Sequence, residues 1–163
     1  MRLVAAVLAA LALAAPAAAA GPPQAGALVP GRSLGGIALG APIRAVLRAW
    51  GRSFGVCTDC AQATWYFNFV AFRPQGAGVE FHNGRVAALF TLWSPPGWRT
   101  SGGLVLGDPV AAVTSAFGPL DRRDCRGYYA LLLERADSVT SFYVVDGKLW
   151  GFGLSERSLP SCR

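Results

Sequence analysis

Lysine and histidine are nearly missing from this sequence. Lys148 is its one lysine and His82 its one histidine, although lysine and arginine together number 15. So strong a bias toward arginine is more typical of a GC-rich coding genome than of selection for guanidinium chemistry, so it is not taken as a sign of phosphate binding. The basic residues are also scattered along the chain, which argues against a nucleic-acid-binding face. With the cysteines oxidised, one histidine leaves too few ligands for a zinc site, and no metal or cofactor is expected.

The sequence also lacks an evident catalytic set. His82 precedes a predicted turn, and Glu80 shares its face of the strand two residues earlier. A triad would add a serine to this pair, but a solvent-facing histidine in a hairpin is the favoured interpretation. We therefore predict a protein that is not an enzyme. A secreted enzyme centred on His82 is the less favoured alternative.

No hydrophobic run is long enough to span a bilayer. The apolar run 3–15 follows Arg2 and is closed by Pro16, and the small residues 18–20 resemble a cleavage site. This pattern predicts a signal peptide over residues 1–20. We expect the mature chain outside the cell or in the cell envelope, with no transmembrane anchor. The net charge of +6 at pH 7 is compatible with a weak, salt-sensitive attraction to anionic envelope polymers.

Four cysteines in an exported chain indicate two disulfides, for which sequence alone allows three connectivities. Cys57 and Cys60 have the CxxC spacing of redox sites, where a helix N-terminus usually stabilises the first thiolate. Here the pair follows the C-terminal end of a predicted helix, so a structural small-loop disulfide is favoured over redox chemistry. Cys125 is then left to pair with Cys162 and to tie down the C-terminal tail.

One stretch of the chain is duplicated. Segment 35–51 recurs without a gap as segment 102–118, with its glycines and its proline at the same places. After the proline, apolar residues follow the spacing of one helical face, as Val46 and Trp50 do in the first copy. Gly51 supplies the left-handed residue that ends the helix. Both helices are short and need to pack against a sheet to be stable.

Strand patterns follow each helix. Asn83-Gly84 and Asp146-Gly147 each predict a two-residue type I′ hairpin turn between alternating apolar segments. The sequence therefore predicts an α+β fold of two tandem repeats. Each repeat is a short helix followed by a three-stranded antiparallel meander, with the helices on one face of the sheet.

These patterns divide the chain into six parts. The predicted parts are a signal peptide (1–20), a flexible lead-in rich in proline and glycine (21–34), repeat 1 (35–92), an extended linker with a Pro-Pro step (93–101), repeat 2 (102–158) and a tail (159–163). The mature chain has the length of one ordinary domain and is long enough to bury a core.

The duplicated stretch carries a signature known from two groups of exported proteins. The spacing of Ile37, Gly40, Val46 and Gly51 resembles that of the SmpA/OmlA family of outer-membrane-assembly lipoproteins and of the secreted β-lactamase inhibitory proteins. The inhibitory proteins also carry the unit in tandem, whereas the lipoproteins have a lipobox cysteine that this chain lacks. The resemblance implies a protein that acts through protein contacts. From the inhibitory proteins it implies a binding surface on the open, aromatic face of the sheet.

Tyrosine and tryptophan are the candidates for such a surface, because they combine apolar area with a polar group. The candidates are Tyr66, Tyr128, Tyr129, Trp93 and Trp98, and core packing is the alternative for each of them. We predict a secreted, non-enzymatic binding module, inhibitor-like in its mode of action, whose partner is another protein. The alternative is an envelope-associated structural protein held by its cationic charge.

Overall fold

Most of the described chain lies in two β-sheets. The structure is a computed structural model that describes residues 26–68, 75–93 and 96–163. The predicted signal peptide (1–20) and the start of the lead-in lie outside the described residues. In chain order the elements are β1 (Ala27–Val29), β2 (Ser33–Leu34), β3 (Ile37–Ala38), α1 (Ile43–Trp50), β4 (Gly55–Cys57), β5 (Ala63–Phe67), β6 (Gly76–His82), β7 (Arg85–Leu92), β8 (Arg99–Thr100), α2 (Val110–Phe117), β9 (Asp121–Asp124), β10 (Tyr129–Glu134), β11 (Ser138–Val145) and β12 (Lys148–Glu156).

The two helices begin and end in the same way. Each has 8 residues, follows a proline in extended conformation, and stops at a glycine with positive φ, 82° at Gly51 and 78° at Gly118. The N–H groups of these glycines donate to Leu47 O and Thr114 O. A residue with a side chain adopts that backbone conformation only with strain, which is why glycine ends both helices. Neither helix of the described ranges is long and apolar enough to cross a membrane.

The large sheet joins the chain's two halves. Its strand order is β4-β5-β6-β7-β12-β11-β10-β9, and every neighbouring pair is antiparallel. The halves meet where β7 pairs with β12, with Phe90 opposite Gly153. The predicted hairpin turns join β6 to β7 and β11 to β12, with positive φ at Asn83 (50°) and Asp146 (49°) and at the glycine after each. Both outer strands are short. β9 is exposed along its whole length and reads Asp-Arg-Arg-Asp.

The predicted α+β class is wrong, because the described residues are mostly β, in sheets of 4 and 8 strands. Four strands of the large sheet follow each helix, not the three that were predicted. The predicted flexible lead-in contributes β1 and β2, and the predicted linker contributes β8. These join β3 in the small sheet, where β1 and β8 run parallel. Strands of two or three residues are held by main-chain hydrogen bonds and are too short to show an alternating pattern.

The main core lies on one face of the large sheet, here called the helix-side face. Both helices and the small sheet pack there, and Leu28 and Leu34 of the lead-in are fully buried. Trp50 is 1 % exposed; its indole Nε1 donates to Gly35 O at 3.0 Å. Its ring meets Trp98 edge-on at 6.0 Å between centroids. Trp98 is 0 % exposed, so its prediction as a contact residue is wrong.

Candidate functional site

The other face of the large sheet carries a second apolar cluster, here called the tail-side face. It comprises Phe90, Leu92, Ala130, Leu132, Val139 and Tyr143, with Tyr66, Tyr128 and Trp150 packed around them. Residues of neighbouring strands share a face where they are in register, and the register places Tyr66, Gly78, Phe90 and Gly153 in one row. Alternation along each strand sends the core residues to the helix side and these to the tail side.

Glycines allow the central aromatic rings to lie across neighbouring strands. A Cβ atom built on Gly78 would lie 2.2 Å from Cζ of Phe90. One built on Gly153 would lie 2.3 Å from the hydroxyl of Tyr143. Real Cβ atoms do not approach other atoms so closely, so each ring occupies the space that a side chain on the adjacent strand would need. The rings therefore form a layer directly on the backbone of the sheet.

The rings of this face contact one another in edge-on and tilted pairs. Tyr66 meets Phe90 at 6.0 Å between centroids, and Tyr128 meets Tyr143 at 5.6 Å and Trp150 at 5.5 Å. Aromatic rings prefer such edge-on geometries because the positive ring edge points at the negative face of the partner. Phe90 is 4 % exposed and Tyr143 is 1 % exposed, whereas Tyr66, Tyr128 and Trp150 keep part of their surface in solvent.

The tail-side face is not open along its length, because the C-terminal tail (157–163) lies on it. The disulfide between Cys125 and Cys162 anchors the tail beside β10. At its end, Arg163 Nε lies 3.3 Å from Glu80 Oε1, with the two side chains only 6 % and 14 % exposed. The hydroxyl of Tyr128 donates to Arg163 O and accepts from Arg163 N, both at 2.6 Å. The Arg163 guanidinium carbon is 6.0 Å from the centroid of the Phe90 ring.

Burial raises the pKa of three tyrosines of this face. Burial raises the pKa of Tyr66, Glu80 raises it further, and Arg163 acts in the opposite sense. Burial also raises the pKa of Tyr128, against the effect of its hydrogen bond with the Arg163 backbone. For Tyr143, which is fully buried, burial raises the pKa far above its ordinary value. The face is thus an uncharged aromatic layer around one buried ion pair.

The predicted contact residues do not form one surface. Tyr66 and Tyr128 lie on the tail-side face, on either side of the buried rings. Tyr129 packs against the core on the helix side, where Arg122 stacks over its ring at 3.9 Å from the centroid. Trp93 is 46 % exposed and directly follows β7. Its main-chain N–H donates to Trp150 O at 2.7 Å. Trp98 lies in the core instead.

Sequence reasoning missed the residues at the centre of the face. The pairing of β12 with β7 on one side and β11 on the other brings Phe90, Tyr143 and Trp150 together. Such pairing of distant strands could not be foreseen from local patterns. The sequence pointed to Glu80 only as a partner of His82, but its carboxylate pairs with Arg163, and His82 is exposed beside the turn. Nothing in the sequence around Arg163 indicated that its side chain would be buried.

The four cysteines form the two disulfides that were favoured from the sequence. Cys57 and Cys60 are bonded at the end of the edge strand β4, and Cys125 and Cys162 join the end of β9 to the tail. The described ranges contain no free cysteine. They also contain no group of three histidine, cysteine or acidic side chains that could hold a metal ion.

Two grooves run beside the tail. One, of about 370 Å³, lies between the tail and β10 and is lined by Leu132, Glu134 and Val139. The other, of about 580 Å³, lies beside Arg163 and is lined by Tyr128, Val145 and Trp150 among others. The tail therefore covers only part of the tail-side face.

No protein-family model matches this chain, and no curated protein matches it. Two solved structures are similar to it. One is an extracellular protein containing a SCP domain from Bacillus anthracis, with 11 % identity and a TM-score of 0.51 over 73 % of this chain and 44 % of that chain. The other is a cysteine-rich secretory protein from Staphylococcus aureus, with 12 % identity and a TM-score of 0.45 over 82 % of this chain and 50 % of that one. This chain spans less than half the length of the first protein, and the likeness to it is one of fold alone.

Proposed function

We propose that this protein is a secreted, non-enzymatic module that binds another protein through its tail-side face. The predicted signal peptide supports export, as do the two disulfides. The Bacillus anthracis protein of similar fold is described as extracellular. The resemblance of segment 35–51 to the β-lactamase inhibitory proteins supports a role in protein contact, with a secreted enzyme as the class of partner.

The observation that carries the proposal is the aromatic layer itself. Tyr66, Tyr128 and Trp150 are partly exposed around a buried centre. Tyr128 and Trp150 also line the groove beside Arg163. Tyrosine and tryptophan dominate the binding energy of protein interfaces because they bring large, rigid apolar areas together with a hydrogen-bonding group. A partner that covers Tyr128 and Trp150 would also enclose the Glu80–Arg163 ion pair in a dry environment.

The absence of catalysis is part of the same proposal. Glu80, the one carboxylate near His82 in sequence, is held in the ion pair with Arg163. His82 is exposed at the end of β6. This arrangement gives the histidine no oriented carboxylate of the kind that a triad requires.

One observation favours the cationic alternative. Arg44, Arg48 and Arg52 follow one another at helical spacing along α1 and just beyond it, and all three are exposed. Such a stripe would attract anionic polymers of the cell envelope. It lies on the side of the large sheet that carries the helices, so it can be changed independently of the tail-side face.

The experiment separates the two surfaces. Full-length mature protein is immobilised and exposed to native culture medium and envelope extract at low and high salt. We expect Tyr128→Ala/Trp150→Ala to lose the retained partner, and the matched surface control Arg44→Gln/Arg48→Gln to keep it. Retention should survive high salt, because salt screens interactions between charges and an apolar contact has none to screen. Loss of the partner in the arginine control, or its release by salt alone, would overturn the proposal in favour of the cationic alternative.

A further inference from the structure

Arg163 is the most buried charged group of the tail. Its guanidinium side chain is 6 % exposed, although Arg157, Ser158 and Pro160 before it are exposed. The tail therefore begins exposed and ends half-buried, and the side chain of Arg163 inserts into the tail-side face. The insertion depends on three kinds of contact: a carboxylate, an aromatic ring and a tyrosine hydroxyl.

The surroundings of Arg163 form a site for an arginine side chain. Glu80 supplies the opposite charge at 3.3 Å, and the Phe90 ring lies 6.0 Å from the guanidinium carbon. Tyr128 contacts the main chain of the same residue, because its hydroxyl accepts from the N–H of Arg163 and donates to its C=O. A carboxylate together with an aromatic ring is the combination that favours guanidinium, which is planar and weakly hydrated.

The hydrogen bonds of the Arg163 guanidinium are made within its own tail. Its Nε makes no hydrogen bond within the described residues, and the guanidinium Nη1 donates to Pro160 O and Cys162 O of its own tail. The disulfide holds Cys162, one residue before, so Arg163 can swing out while the disulfide remains intact. Removing the guanidinium would leave the nearly buried Glu80 carboxylate without its charged partner, which is unfavourable unless another cation replaces it.

We infer that Glu80, Phe90 and Tyr128 form a guanidinium-binding site, that Arg163 fills it within the same chain, and that an arginine-bearing segment of the partner takes it in place of Arg163. The last step rests on the proposed function, whereas the site itself does not. The two grooves along the tail provide room for the residues that flank the incoming arginine. Because Arg163 competes from within the molecule, the full chain binds an added arginine more weakly than the emptied site does.

The test empties the site and offers it a small probe. N-acetyl-arginine amide is titrated into the full-length mature protein and into Arg163→Ala, and binding is followed by NMR shifts of the Gly78 and Gly153 amides. N-acetyl-citrulline amide is the matched control ligand, since it has the same shape without the charge. We expect the variant to bind the arginine probe at least about tenfold more tightly than the unmodified chain does, as expected when an internal competitor is removed. Citrulline should not bind.

A second variant identifies the charge that the probe meets. Arg163→Ala/Glu80→Gln should lose binding of the arginine probe while keeping the fold, which the dispersion of the NMR spectrum reports. If Arg163→Ala does not fold, Arg163→Gln replaces it, because glutamine keeps part of the aliphatic stem. The inference is overturned if the folded single variant binds the arginine probe no better than the unmodified chain, or binds citrulline equally well.

The probe also separates this inference from the proposed function. If N-acetyl-arginine amide binds Arg163→Ala but does not displace the partner captured by the unmodified chain, the site stands and its role in partner binding is refuted. If the probe does not bind while capture still depends on Tyr128 and Trp150, the proposed function stands and the guanidinium site is refuted. Displacement of the partner by the arginine probe and not by citrulline supports both.

Discussion

The position of Phe90 on the backbone of β6 makes a sharp prediction for the substitution Gly78→Ala. An alanine Cβ at this position would lie 2.2, 2.7 and 2.8 Å from three atoms of the Phe90 ring. The ring would have to withdraw by more than an ångström to restore an ordinary contact. Phe90 is 4 % exposed, with Tyr66 packed against it, so the displacement is passed on to its neighbours.

The expected magnitude follows from two opposing effects. Overpacking of a buried site costs about 1–3 kcal/mol. Replacing glycine by alanine in an unstrained backbone stabilises by about 0.4–1 kcal/mol, because the unfolded chain loses freedom. Gly55→Ala is the matched control, since Gly55 also lies in a strand but no atom lies within 4 Å of the place that its Cβ would take. We expect Gly78→Ala to lower the free energy of unfolding and Gly55→Ala to leave it unchanged or raise it slightly.

Urea unfolding with the disulfides intact, followed by tryptophan fluorescence, measures both variants. A third variant, Phe90→Leu, removes the ring atoms that the new methyl group would meet. In that background Gly78→Ala should cost much less, with a coupling energy of about 1 kcal/mol or more between the two positions. Equal stability of Gly78→Ala and Gly55→Ala, or additive effects of Gly78→Ala and Phe90→Leu, would refute the packing described for this face.

Two further predictions concern the disulfides and Tyr143. Replacing Cys125 and Cys162, which are 37 residues apart, by serine should cost about 4 kcal/mol of unfolding free energy, against about 2 kcal/mol for Cys57 and Cys60, which are 3 apart. Mass mapping of non-reduced peptides checks the pairing, and a Cys57–Cys125 peptide would contradict it. Burial raises the pKa of Tyr143 above its ordinary value of 10.0, so the folded state holds this proton more tightly than the unfolded state does. Its contribution to stability is complete below pH 10 and falls above it by up to about 1.4 kcal/mol per pH unit. Tyr143→Phe should reduce that slope in urea unfolding between pH 9 and 11, and an unchanged slope would count against the burial of the phenol.

The parts of the fold that could be predicted are those that local chemistry determines. The glycines at the helix ends and the Asn83 and Asp146 turns require positive φ, and the residue types at those positions show it directly. Segments 35–51 and 102–118 each contain a helix of 8 residues that ends at a glycine. The predicted fold class failed because the small sheet consists of strands of two or three residues. Such strands are defined by main-chain pairing between distant segments, such as that of β1 with β8.

The candidate site was only partly predictable for a related reason. Tyr66 and Tyr128 could be proposed from residue type, and both lie on the tail-side face. Whether an aromatic residue faces the core or the tail depends on strand register, which sent Tyr129 to the helix side and buried Trp98. Arg163 belongs to a segment without any periodicity. Its role depends on Glu80, which is distant in sequence and is brought close only by the disulfide and the sheet.

The two ends of the large sheet bear on the behaviour of the protein at high concentration. A sheet of eight strands leaves one row of unpaired main-chain groups at each end, and such rows can recruit strands from other molecules. On β9 all four side chains are charged and exposed, and Arg122 pairs with Asp124 at 2.8 Å. β4 has only 3 residues and leads directly into the Cys57–Cys60 loop. Charge on β9 and the short length of β4 therefore disfavour edge-to-edge pairing with other molecules. Fibril formation through the sheet edges is disfavoured for the same reasons.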